Sequence, residues 1–184
     1  MLRRLRAKCA HSFVIKRRSE ELQPAQVGVG VSGGAEAIIH ATRRLMLSLP
    51  DNHVFVKLDF SNAFNSVRRD TILANVAVRM PKLYQIVKES LDCNPMLIYG
   101  DDIIISAEGS QHGDPLTGLE SCEFIQLTLL ETAVRTTMGF VDDINLEGEL
   151  SSVARDIQAI IDSNPTTRLV LKAISARLRQ RTSK

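Results

Sequence analysis

The sequence predicts an α+β domain on three observations. Two Asp-Asp pairs stand between short apolar runs, Asp101-Asp102 within residues 96–106 and Asp142-Asp143 within residues 140–146. Apolar runs this short, broken by polar residues, read as strands that meet at tight turns. Other stretches are longer and carry apolar residues at helical spacing, such as Leu83, Ile86, Val87 and Leu91. The chain has 184 residues, 44% of them hydrophobic, enough for one domain with a packed core.

Charge is unevenly spread. The net charge is +2, but residues 1–18 hold seven Lys/Arg and no acid, and residues 163–184 hold six and no acid. The remaining ten basic residues share the middle with all 21 acidic ones. Basic ends around an acidic centre suit a polyanion held over a metal site, and solvated tails give the same pattern. Cys9, Cys93 and Cys122 follow no metal-finger or disulfide spacing, which points to a reducing compartment. No run of 18 apolar residues spans a membrane. The Arg-rich start lacks a secretory apolar region and reads as a basic helix or arm of the domain. The expected location is intracellular, nucleus or cytoplasm, and not secreted.

In chain order, Gly28, Gly30, Gly33 and Gly34 form a loop of little bulk. The first three fit G-x-G-x-x-G, but no clear strand precedes them and no acid lies at the ribose-binding distance, so close approach to a nucleic-acid backbone suits them better than a dinucleotide. A helix is expected over about 35–49, with Ile38, Leu45 and Leu49 on one stripe. Residues 53–59 form a compact apolar strand ending on Asp59, a common place for chemistry in sheets. Helices follow over about 68–79 and 81–91, the second with Pro81 in its first turn.

Residues 96–106 then carry Tyr99-Gly100-Asp101-Asp102. This string resembles the catalytic motif of viral RNA-dependent RNA polymerases, and it is also ordinary hairpin-turn chemistry. Asp114 and Pro115 suit the start of a helix that runs to about residue 131. At the 140–146 turn, two like charges about 4 Å apart repel by roughly 4 kcal/mol at an effective dielectric near 20, so a divalent metal or another positive group is expected beside Asp142 and Asp143. A solvated turn is the plainer alternative. Local physics does not choose between the two Asp pairs.

Order along the chain does. Asp59 followed by Ser61-Asn62-Ala63-Phe64-Asn65, then Gly109, Gln111-His112-Gly113-Asp114-Pro115-Leu116, then Phe140-Val141-Asp142-Asp143, resembles motifs A, B and C of reverse transcriptases, most closely those of non-LTR (LINE-like) retrotransposons. Residues 26–30, 33–37 and 40–41 resemble the finger-to-palm stretch before motif A. The likeness covers roughly residues 2–162. It places the catalytic pair after the Gly-Asp-Pro-Leu loop, which selects Asp142/Asp143 and leaves Asp101/Asp102 as a turn.

The resemblance implies a reverse-transcriptase palm, an antiparallel sheet backed by helices, with part of the fingers and no thumb. Residues 1–34 would be a partial fingers segment with a basic N-terminal arm, 35–162 the palm, and 163–184 a basic C-terminal tail. It implies RNA-directed DNA polymerase activity, a two-metal nucleotidyl transfer of dNTP to a primer 3′-hydroxyl. Asp59, Asp142 and Asp143 would be catalytic. With the Phe60 carbonyl they would ligate two Mg²⁺ (or Mn²⁺) ions, hard cations that take oxygen ligands. Phe64 would be the steric gate against a 2′-hydroxyl, and Gln111, His112 and Gly113 would line the nascent base pair. The expected partners are an RNA template with a DNA primer and a dNTP, with no membrane.

The sequence departs from the family in three places. His112 replaces the usual second Gln. Residues 167–173 lack the Asn and Lys of motif D. The chain reads as truncated at both ends, with no primer grip or thumb. Two rival readings follow: a catalytically inactive nucleic-acid-binding remnant, and an RNA-dependent RNA polymerase using Asp101/Asp102.

Overall fold

A computed structural model describes residues 2–92, 96–110, 113–134, 136–164 and 168–178. Its centre is strand β1, His53–Ser61. Val54, Val56, Leu58 and Phe60 alternate onto one buried face, as the period of two in a strand requires. β1 pairs antiparallel with β5, Asp143–Glu149, on one side and with β6, Val170–Leu178, on the other. Strand β4, Thr136–Phe140, pairs antiparallel with β5. The sheet order is therefore β4-β5-β1-β6, all antiparallel. Ile144 and Leu146 of β5 stand opposite Leu58 and Val56 and extend the same buried face.

Helices back that face. Helix α6, Thr117–Leu130, buries Leu119, Cys122, Phe124, Ile125 and Leu129, and also Glu120, Glu123 and Gln126. Burial on nearly every side marks a central helix. It packs against α1 (Leu2–Leu22), the short α3 (Ala63–Ser66), α4 (Arg69–Arg79) and β4. A buried ion network joins three of these helices: the Arg18 guanidinium grips both carboxylate oxygens of Glu123 at 2.5 and 2.7 Å, and Arg79 adds a third contact at 3.3 Å. α7, Leu150–Asp162, follows β5 directly and packs on β1 and β5. Its Asp156 accepts the N–H groups of Ala133 and Val134 at 2.8 and 3.1 Å, fixing the entry to β4.

Most sequence expectations hold. The helix expected over 35–49 is α2, Gly34–Leu47. Residues 81–91 become a 3₁₀ turn, Pro81–Leu83, running into α5, Tyr84–Asp92. The Asp101 segment is a hairpin of β2 (Met96–Tyr99) and β3 (Asp102–Ile105), turning at Gly100 with φ +61°. Two expectations need correction. α6 begins at Thr117, because Asp114 spends its side chain on the Leu116 N–H at 3.0 Å in a preceding turn. Residues 170–178 are not part of a basic tail; they form β6, since Leu169 and Leu171 anchor the segment to the core beside β1. The basic N-terminal stretch is a helix of the domain that packs on α6, buries Ala7 and Ala10, and pairs Arg18 with Glu123.

Candidate active site

The site forms where β1 and β5 end side by side. The last register pair is Leu58 with Ile144. One step further along each strand stand Asp59 and Asp143, with Asp142 in the adjoining turn. Three acids far apart in sequence therefore share one end of the sheet, on the two neighbouring strands that the sequence motifs had singled out.

The turn between β4 and β5 is tight and strained. Phe140 pairs with Asp143, leaving Val141 and Asp142 as the two linking residues. Val141 has φ +57°. A β-branched residue in the left-handed region is a true outlier and costs on the order of 1–3 kcal/mol, so the surroundings must hold it. The Gln26 side chain does so, bonding both backbone groups of Val141 at 3.0 Å.

Charge at the site is balanced by two lysines. Lys57 Nζ lies 3.0 Å from Asp143, on the diagonal between β1 and β5. Lys172 Nζ lies 3.6 Å from Asp59. The second contact has a local cause. Register on β6 jumps between the partners of Asp59 and Phe60, from Ala173 to Leu171, so Lys172 is the extra residue of a β-bulge. Bulges re-aim side chains, and this one turns Lys172 toward Asp59. Both pairs are substantially exposed, so each contributes at most about 1 kcal/mol. Among the described residues, no lysine pairs with Asp142 in this way. Burial, then the neighbouring Asp143 and Asp59 carboxylates, push its carboxyl above the usual range, with Lys57 opposing. Asp142 therefore feels Asp59 electrostatically, although 83 residues separate them in the chain.

The loop before α6 docks on the turn after Asp59. Gly109 N–H donates to the Val67 carbonyl and Ser110 N–H to the Phe64 carbonyl, both at 3.0 Å. At Gly109, φ is +66° and an added Cβ would lie 2.4 Å from the Asn65 Cα, so only glycine fits. Phe64 itself is half-buried in α3. Gly113 is exposed with φ +82°. Gln111 and His112 lie outside the described residues. Asp101 and Asp102 sit in the separate β2–β3 sheet, and both are exposed.

The donor chemistry fits a hard divalent cation, since the carboxylates supply oxygen ligands. The Cys122 thiol, bonded to the Val141 backbone beside Asp142, is kept protonated by burial, which pushes it up to about 12. The side chains are not gathered into a ligand cage. Among the described residues, no group of three or more His, Cys, Asp or Glu side chains is arranged to hold a metal ion. In this conformation lysines stand against two of the three acids. Sequence reasoning missed Lys57, Lys172 and Gln26. The alternation of β1 places Lys57 on the Asp59 face and was readable; the β6 bulge and the Gln26 contacts were not.

No protein-family model matches the sequence, and no curated protein matches it. Solved structures do. The chain is similar to telomerase from Candida tropicalis in complex with a TWJ fragment of telomeric RNA, with a TM-score of 0.66 and 11% identity over 95% of this chain and 34% of that one. Apo telomerase from the same organism matches with a TM-score of 0.66 and 10% identity, over 98% of this chain and 37% of that one. Telomerase from Candida albicans, also with a TWJ fragment, gives 0.63 and 11%, over 96% and 35%. The chain thus spans about a third of the length of these telomerases. At this identity the likeness shows the fold alone: an antiparallel sheet backed by helices, shared with the matched part of these telomerases. Among the described residues, no helix is long and apolar enough to cross a membrane.

Proposed function

We propose that the chain is the palm of an RNA-directed DNA polymerase of the non-LTR retrotransposon type. One observation carries this reading: motifs A and C, defined by sequence alone, lie on adjacent strands and bring Asp59, Asp142 and Asp143 to one end of the sheet. In this reading the three carboxylates and the Phe60 carbonyl hold two Mg²⁺ or Mn²⁺ ions. Such ions lower the pKa of a primer 3′-hydroxyl and neutralise the triphosphate. The chain's own residues do the rest. The weak lysine pairs with Asp59 and Asp143 yield readily to a cation. Burial first, and the Asp143 and Asp59 carboxylates after it, raise the Asp142 carboxyl, and a nearby cation would favour its charged form. Phe64, in the turn against which the 109–110 loop docks, excludes a 2′-hydroxyl, and Gln111, His112 and Gly113 bound the base pair. The basic residues of α1 and of 168–184 attract an RNA template with its DNA primer, in the nucleus or cytoplasm.

The test is primer extension with dNTP on an RNA template. Incorporation that disappears in Asp142→Ala supports the proposal; ribonucleotide preference or indifference to Asp142 overturns it. The missing three-acid ligand cage favours a second reading, an inactive nucleic-acid-binding remnant. That reading predicts salt-sensitive binding of primer–template with no incorporation at any Mn²⁺ concentration.

A further inference from the structure

Gln26 is fully buried, and its amide makes three hydrogen bonds to backbone, all at the strained turn or beside it. Its Nε2 donates to the Val141 carbonyl at 3.0 Å. Its Oε1 accepts the Val141 N–H at 3.0 Å and the Gly28 N–H at 2.9 Å. The side chain therefore pairs with one residue as a neighbouring strand would, meeting both its donor and its acceptor. The residue so held is the one with positive φ, immediately before Asp142.

The surroundings are built for this contact. Gln26 bridges Gly139 in parallel fashion, with Val27 N–H donating to the Gly139 carbonyl at 3.0 Å and Gly139 N–H to the Ala25 carbonyl at 2.5 Å. A Cβ on Gly139 would sit 2.8 Å from Gln26 Nε2, and one on Gly28 only 2.3 Å from the Val141 nitrogen. Both glycines thus leave the space in which the amide reaches the turn. An apolar residue at position 26 would take the amide away from three half-buried backbone groups, leaving the Cys122 thiol as a contact of the Val141 backbone.

We propose that Gln26 is a positioning residue: its amide clamps Val141, fixes the turn that presents Asp142, and so sets the affinity of the three-acid edge for divalent cations. The cation part of this inference rests on the polymerase reading. The clamp joins the glycine-bearing segment before α2 to the motif C turn, a connection 115 residues long in sequence.

The experiment uses the full chain with Mn²⁺ as probe, titrated by electron paramagnetic resonance, beside amide hydrogen exchange read by NMR. Gln26→Leu removes the clamp. Gly28→Ala leaves the amide but pushes a methyl into the Val141 nitrogen. Gln26→Asn retains an amide drawn back by one methylene and is the mildest variant. Val76→Ala, a buried change in α4 away from the turn, controls for general loss of stability. The expected result is at least tenfold faster exchange at Val141 and at least tenfold weaker Mn²⁺ binding in Gln26→Leu and Gly28→Ala. Gln26→Asn should fall between these and the parent, and Val76→Ala should retain the parent affinity. Unchanged exchange or unchanged Mn²⁺ binding in the Gln26 and Gly28 variants overturns the clamp while leaving the polymerase reading intact. Equal loss in Val76→Ala reduces Gln26 to a core residue and also overturns it. A parent chain that binds no Mn²⁺ removes the polymerase reading itself, and the proposed role of Gln26 with it.

Discussion

The chain contains the same dipeptide in the same local setting twice. Asp101-Asp102 and Asp142-Asp143 each lie at a hairpin turn between short apolar strands. Among the described residues, the first hairpin pairs with no strand of the larger sheet, and it exposes Ile98, Tyr99, Ile103 and Ile105. Its turn is made by Gly100, around which an added Cβ would meet nothing within 4 Å. The second hairpin is one half of the main sheet. Its turn uses a valine with positive φ, held by a buried glutamine, and its acids face Asp59 across a strand pair. A glycine turn is comfortable anywhere; a valine turn persists only where the fold enforces it. The contrast teaches that the fold over-determines the backbone of one acid pair and not of the other, and that the Asp-Asp dipeptide alone does not reveal which pair that is.

The largest expected effect separates the two pairs directly. On the polymerase reading, Asp142→Ala should cut deoxynucleotide incorporation by at least about a hundredfold, since it would remove a cation ligand worth several kcal/mol in the transition state. Asp101→Ala should leave incorporation unchanged in the same primer-extension assay. Were the two results exchanged, the roles assigned to the hairpins would be reversed.

Stability sharpens the comparison next. Ile144→Ala, in a fully buried position beside the motif C turn, should destabilise by about 2–5 kcal/mol. For a chain of this size that lowers Tm by roughly 4–20 °C. Ile103→Ala, exposed in the other hairpin, should shift Tm by no more than about 2 °C. Thermal unfolding followed by circular dichroism measures both, and an equal drop would show that the β2–β3 hairpin is buried in solution.

The segment joining the two hairpins enters α6 beside Glu120. Burial, then the Asp114 carboxylate, pushes the Glu120 carboxyl up to about 7, with Arg3 opposing. A carboxyl with a raised folded pKa holds its proton better in the fold than in the unfolded chain. Its contribution is therefore complete below the unfolded value of 4.5 and is lost as pH rises to about 7. The loss approaches about 3 kcal/mol. Glu120→Gln should raise Tm relative to the parent at pH 8 and leave it nearly unchanged at pH 4. A pH-independent difference between the two proteins would mean that Glu120 stays ionised.

The smallest effect tests the lysines. Lys172→Ala removes an exposed partner of Asp59, so Mn²⁺ affinity should rise by about two- to fivefold. A fall in affinity would instead make Lys172 a support for the cation site.

The sequence by itself determined most of the elements and singled out three acids. The apolar alternation of 54–60 requires a strand with one buried face, and the 3.6-residue spacing of Leu83, Ile86, Val87 and Leu91 requires a helix. The order Asp59, Gly-Asp-Pro-Leu, Asp142-Asp143 selected one acid pair over its duplicate, and the structure brings that pair to the strand next to Asp59. Such features are legible because they arise between residues a few positions apart, or from an ordered string of motifs. Only the tertiary structure decided that residues 170–178 complete the sheet, that a bulge turns Lys172 toward Asp59, and that Gln26 holds Val141. Each of those depends on strands meeting across 100 or more residues of chain. A one-residue change of register reverses which face a side chain takes, so no local pattern in the sequence encodes it.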